Sequence, residues 1–209
     1  MQARNSSAKQ EGRTFIESAR RAQIVDAAVE VIAEQGYANA SFAKIAKQAG
    51  LSSTGMISYH FKGKDDLIRE VIAEFLRLSG EYLTGKMDAE NTLAGRLRAF
   101  IVARIAMLDE FPKHFVAAGE IINAVRIEDP DLRGLTPVWA ATAAMQEQRF
   151  REGQQAGEFR DFDPKVMVLA LHGAINEATV RASVDPDFDT AACGRELADL
   201  FEAATRKAS

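Results

Sequence analysis

Between Ser53 and Lys64 the chain gathers side chains suited to touching another molecule: Ser53, Thr54, Gly55, Met56, Ser58, Tyr59 and His60, followed by Lys62 and Lys64. They are small, hydrogen-bonding or flat, and mostly uncharged. Such residues approach base edges and thymine methyls without bulk, and a lysine just beyond them meets a phosphate. Only Ile57 and Phe61 recur at helical spacing here, so the apolar side is thin. An ordinary helical hairpin with a solvated outer face has the same pattern, and the stretch alone leaves both readings level.

Other chemistry is harder to find. There is no nucleophile elbow, phosphate loop, HExxH motif or Cys/His metal spacing, and the three histidines belong to separate segments. Asp185, Asp187 and Asp189 cluster around Pro186, in a break between helices where solvated carboxylates are ordinary. The sequence therefore predicts neither an enzyme nor a metal or cofactor site. The single Cys193 cannot form an internal disulfide, which suits a reducing compartment. No run reaches the ~20 apolar residues of a membrane span, His172 interrupts the longest candidate, and no signal-peptide core opens the chain. A cytoplasmic protein without a membrane partner is expected.

The elements that must position the reading segment lie on either side of it. Upstream, Ile24, Ala27, Ala28, Val31 and Ile32 form an amphipathic stripe from about Ile16 to Gln35, ended by Gly36. Next, Phe42, Ile45, Ala46 and Ala49 mark a short helix. Gly50 supplies a tight turn, and Ser52 or Ser53 offers a cap for a second short helix. Downstream, Asp65 and Asp66 suit a helix N-terminus, and Leu67, Ile68, Val71, Ile72 and Phe75 continue a long helix to about Leu83, closed by Thr84-Gly85. Neither short helix is stable alone. Two of them crossing at a glycine turn make a helix-turn-helix.

This order resembles the TetR family of transcriptional regulators, on the residues Ile24 to Ala28, Gly36-Tyr37, Ser41, Ile45-Ala46, Ala49 to Ser52, Gly55, Ile57, Tyr59 to Phe61, Lys64 and Leu67. The run GLSSTG from Gly50 is one residue longer than the usual family turn. The resemblance implies an all-α, two-domain fold: a three-helix DNA-binding head over 15–64 and a bundle of about six helices over 65–209 that binds an effector and dimerises. In that arrangement Ser41 would offer its hydroxyl or nearby amides to a phosphate, with Lys44 beside it. Thr54, Gly55, Met56 and Ser58 would face base edges with Ser53 beside them at the DNA, Tyr59 and His60 would reach sugar, phosphate or a methyl (His60 also reads as a packed residue of the head), and Lys64 would grip a phosphate. Arg20 and Arg21 have a phosphate reading and a solvated one. Residues 1–14 are expected to be a disordered arm.

Past the head, helices are expected over Thr92–Asp109, Lys113–Val125, Pro137–Phe150, Lys165–Ala182 and Thr190–Thr205, with a break at Asp129-Pro130. The family resemblance implies a pocket among them for a small, partly apolar effector. Its apolar candidates are Phe75, Phe100, Met107, Phe115, Trp139 and Met145; its polar ones are Arg104, Glu120, Asn123, His172 and Asn176. The last two helices, rich in small residues, would form a homodimer, although intramolecular packing gives the same sequence. Charge agrees with this division: residues 1–64 carry 9 Lys and Arg against 5 Asp and Glu, whereas residues 65–209 carry 17 against 25. The expected function is a repressor on a two-fold DNA operator, released by a small molecule. The alternative is a small-molecule-binding helical protein whose head contacts a protein partner.

Overall fold

The computed structural model describes the backbone of residues 2–127 and 136–207 and the side chains of 16–124 and 140–207. Among them are nine α-helices: α1 (Gln2–Gln35), α2 (Phe42–Gln48), α3 (Gly55–His60), α4 (Lys64–Asp88), α5 (Leu93–Glu110), α6 (Pro112–Ile127), α7 (Thr136–Gln155), α8 (Pro164–Val184) and α9 (Thr190–Thr205). The sole β pairing among the described residues is an isolated bridge between Phe159 and Arg206. The protein is all-α, as expected. Side-chain oxygens cap α5, α8 and α9: Thr92, Asp163 and Asp189 accept from the amides of Gly95, Lys165 and Ala192.

Two helices outrun their predicted ends. The stretch expected to be a disordered arm is the first part of α1. Its Ala, Gln, Lys, Arg and Glu residues favour helix, and extending an existing helix costs far less than starting one. Likewise α4 continues through Thr84-Gly85 to Asp88. Met87 is buried, and Leu83 packs on the same core, which offsets the ~1 kcal/mol penalty of a helical glycine. The expected break at Asp129-Pro130 lies outside the described residues.

The chain divides into two compact units, one of residues 1–76 with 116–129, the other of 77–115 with 130–209. Both α4 and α6 thus contribute to each. In the first unit the α1 stripe, Ile24, Ala27, Ala28, Val31 and Ile32, is buried. Buried with it are Ile45 and Ala46 of α2, Ile57 of α3, Phe61, Leu67, Ile68, Val71 and Ile72 of α4, and Ala117, Ala118 and Ile121 of α6. Burial of the first turns of α4 explains why this unit extends past Lys64.

In the second unit α5 packs chiefly on α9 and also on α7 and α8. Phe100, Ile101 and Ile105 of α5 share a core with Leu171 and Ile175 of α8 and with Ala198 and Phe201 of α9. α9 packs closely on α5 at Gly194, where a Cβ would make ordinary contact at 3.6 Å with the Val102 backbone. Gly153 in α7 is under a sharper constraint, since a Cβ would fall 2.0 Å from the Phe159 ring. Phe150, Phe159 and Phe162 meet at that corner.

Candidate nucleic-acid interface and interior cluster

The turn between α2 and α3 follows from one glycine. Gly50 has φ +65°, its N–H donates to the Lys47 carbonyl, and the Leu51 N–H donates to the Ala46 carbonyl. This is the Schellman closure, which requires a left-handed residue where Gly50 stands. Gln23 of α1 also donates to the carbonyl of the buried Ala49, at 2.7 Å. At the start of α2, the Ser41 hydroxyl accepts from the Lys44 amide at 3.4 Å, and both residues are exposed.

Neither Ser52 nor Ser53 caps α3. The N-cap is Thr54, which makes no side-chain cap bond; its carbonyl accepts from the Ile57 and Ser58 amides. The longer turn carries the start of the helix beyond reach of the two serines. Of the six residues of α3, Ile57 alone is fully buried. Ser53, Thr54, Gly55 and Ser58 are exposed, Met56 is 37% exposed and Tyr59 is 70% exposed. His60 is half-buried, its ring edge-on to Tyr59.

The opposite end of α3 is fastened by Arg21. Its Nη1 donates to the His60 carbonyl at 2.6 Å and its Nη2 to Glu70 at 2.7 Å, while the guanidinium lies 4.4 Å over the Phe61 ring. Arg21 therefore holds the head together. Arg20 bonds Gln23 within α1.

Lys64, expected at a phosphate, is engaged within the head. Its Nζ donates to the Tyr37 carbonyl at 2.9 Å and sits 4.2 Å over that ring. Burial lowers its pKa, with Asp65 opposing. A long cation beside an aromatic face and a carbonyl with a free lone pair is drawn to both; the Tyr37 carbonyl also accepts from the Ala40 N–H. Lys44 and Lys47 of α2 and Lys62 after α3 are exposed cations.

The candidate effector residues are divided between the two units. Phe75, Glu120 and Asn123 belong to the first unit. The Glu120 carboxylate accepts from the Tyr37 N–H at 3.3 Å, so it serves the turn after α1 rather than a pocket, and Asn123 is exposed. In the second unit Met145 and Asn176 are exposed, and the Trp139 side chain lies outside the described residues.

Phe100, Met107 and Phe115 are buried. The Arg104 guanidinium stacks 4.6 Å over the Phe115 ring. Burial foremost, and then the Arg104 charge, hold the half-buried His172 below the usual imidazole range. A separate cleft of about 140 Å³ is bounded by residues including Met87, Leu97, Phe100, Phe150 and Phe159. Among the candidates whose side chains are described, Phe100 alone reaches it. The sequence reading missed this cleft, whose walls combine residues of α4, α5 and α7 with Phe159; the clustered phenylalanines 150, 159 and 162 were its only signal.

Residues 24–71 match the family model described as bacterial regulatory proteins, tetR family. The fatty acid metabolism regulator protein of Bacillus subtilis is 28% identical over 193 residues, covering 86% of this chain and 92% of that one. BetI, an HTH-type transcriptional regulator of Vibrio parahaemolyticus, is 41% identical over 70 residues, covering 34% of this chain and 35% of that one. Among solved structures, FadR of Bacillus subtilis in complex with stearoyl-CoA has a TM-score of 0.73 at 27% identity, over 88% of this chain and 98% of that one. A regulator of Saccharomonospora viridis in complex with choline shares the fold, with a TM-score of 0.80 at 20% identity over 91% and 100%. The fold and head define a helix-turn-helix regulator, and residues 24–71 are a TetR-family DNA-binding head. The chain's function is DNA-binding transcriptional regulation rather than catalysis, which favours DNA over a protein as partner of the head.

Proposed function

We propose that the chain acts as a homodimer, represses from a two-fold operator and is released when a small, partly apolar effector enters the second unit. The observation that carries this is α3. It is held through Ile57 and the Arg21 bond, and Thr54, Gly55, Met56, Ser58 and Tyr59 are exposed. Those side chains would read base edges, with Ser41, Lys44 and Lys62 on phosphates.

One six-residue helix gives little affinity, whereas two held about 34–36 Å apart read both halves of an operator. Support for α8 and α9 as the dimer interface comes from their exposed apolar side chains. Val166, Leu169, Val180 and Val184 recur along one side of α8, with Gly173 between them and Leu200 on α9. Exposed Asn176 falls on the same line, which suits it to the interface better than to a pocket.

The relative that regulates fatty acid metabolism and the FadR complex with stearoyl-CoA support an effector with a long apolar part. Release requires that the effector bind the non-operator state better. Helices α4 and α6 are the levers, because each supplies residues to both units.

The test is fluorescence anisotropy on DNA flanking the protein's own coding region, across a salt series, with Tyr59→Ala and Leu169→Glu beside the wild type. Wild type should bind tightly and lose affinity steeply with salt. Tyr59→Ala should weaken binding without unfolding. Leu169→Glu should give a monomer by light scattering and lose the operator. No wild-type binding at low salt, to flanking DNA or to a random pool, sinks this reading.

A further inference from the structure

We infer that the effector is an anion and that Arg104 is the counter-charge that receives it; this rests on the effector-released reading above. The face of α5 around Arg104 is apolar, with Phe100, Ile101, Ile105 and Met107 buried. Arg104 itself keeps some exposure, but Nη1 is sealed from solvent and has no hydrogen-bond partner among the described residues. A guanidinium carries five N–H donors and cannot shed its charge to escape the cost of burial. Native interiors seldom leave such a group unpaired.

The groups around Arg104 do not meet that need. The Phe115 ring offers its π-face, which attracts a cation far more weakly than a carboxylate does. The coupled His172 imidazole carries no negative charge. Desolvation brings the Arg104 pKa down to about 10, with no acidic group among the described residues pulling it back.

Other arginines of this chain are treated differently. Arg21 has the His60 carbonyl and Glu70, Arg98 has Asp199 and Glu202, and at the cleft Arg96 and Arg149 are bonded to the Glu90 carbonyl and to Gln146. A ligand carboxylate or phosphate would supply the acceptor Arg104 lacks, and both match its planar fork.

The rest of the molecule is placed by spacing. Phe100 lines the cleft and stands one helical turn before Arg104 on the same side of α5. An amphiphile with its apolar body against Phe100 and an anionic head at Arg104 fits both features. A quaternary ammonium head would meet a like charge.

The test compares four amphiphiles of one chain length, each below its micelle concentration: dodecanoate, dodecyl phosphate, dodecanol and dodecyltrimethylammonium. Calorimetric titration and operator release are measured on the full-length wild type, Arg104→Lys and Arg104→Met. One or both anions should bind and release the operator, and the carboxylate and phosphate arms identify the head. Dodecanol and the ammonium should bind about tenfold more weakly or worse. Arg104→Met should lose the anion preference while melting no lower than wild type, since the unpaired charge is gone; Arg104→Lys should keep part of it.

Equal binding of the neutral or cationic member, wild-type anion affinity in Arg104→Met, or binding of none of the four overturns the inference. Operator release by dodecanol or the ammonium alone refutes the anion while leaving the regulator reading intact. A wild type that binds no operator refutes that reading, and the titrations still judge Arg104.

Discussion

Replacing Arg21 with methionine keeps most of its stem and removes the guanidinium that ties α3 to α1 and α4. The Glu70 pair is 37% and 45% exposed, so its share is at most about 1 kcal/mol. The 2.6 Å bond to the His60 carbonyl has a charged donor and satisfies a helix-end acceptor, a contribution of about 1.5–3 kcal/mol. The stack on Phe61 adds about 0.5–1 kcal/mol, part of which methionine recovers against the ring. These contributions are not independent, and a net loss of about 2–3 kcal/mol is expected. At about 2–4 °C per kcal/mol for a chain of this size, the melting temperature should fall by about 5–10 °C. Operator affinity should fall as well, because α3 loses its anchor. The dependence of log Kd on log salt should keep its slope, since no phosphate contact is removed. The assay pairs thermal melts with anisotropy across a salt series. An unchanged melting temperature with a slope flattened by about one would refute this reasoning and return Arg21 to the phosphate backbone.

Two further outcomes follow from the second unit. Gly153→Ala drives a methyl into the Phe159 ring, and with the helix backbone on one side and Phe150 and Phe162 beyond, the expected loss is about 1–3 kcal/mol in urea unfolding; no loss would show that Phe159 swings clear freely. His172 has a folded pKa below 6.5. As pH falls past 6.5 the unfolded imidazole takes its proton first, so stability drops until the lower folded value is passed. His172→Gln should therefore flatten the fall in urea midpoint over that window, and an identical pH profile in both proteins would refute the assignment.

Much of the fold is written locally. The bounds predicted for α9 coincide with Thr190–Thr205, because Asp189 caps one end and apolar periodicity carries the rest. The Gly50 turn is equally legible, since the Schellman closure admits few residues but glycine. The ends of α1 and α4 were not, because residues that tolerate helix are recruited once a neighbouring turn exists. The cleft was invisible for another reason: its walls come from residues as far apart as Met87 and Phe159.

The sequence by itself determined the element order, the head and the largely outward-facing stretch from Thr54 to Tyr59, since periodicity, turns and caps act over a few residues. Only tertiary structure decided where the long polar side chains went. Arg21 reaches Glu70 across 49 positions and Glu120 reaches the Tyr37 amide across 83, while Lys64 turns to Tyr37 and Arg104 is left with Nη1 unpaired among the described residues. A flexible charged chain has many partners within reach of its tip. Which one it takes, or whether it is left without one, depends on helices brought together by burying other residues altogether.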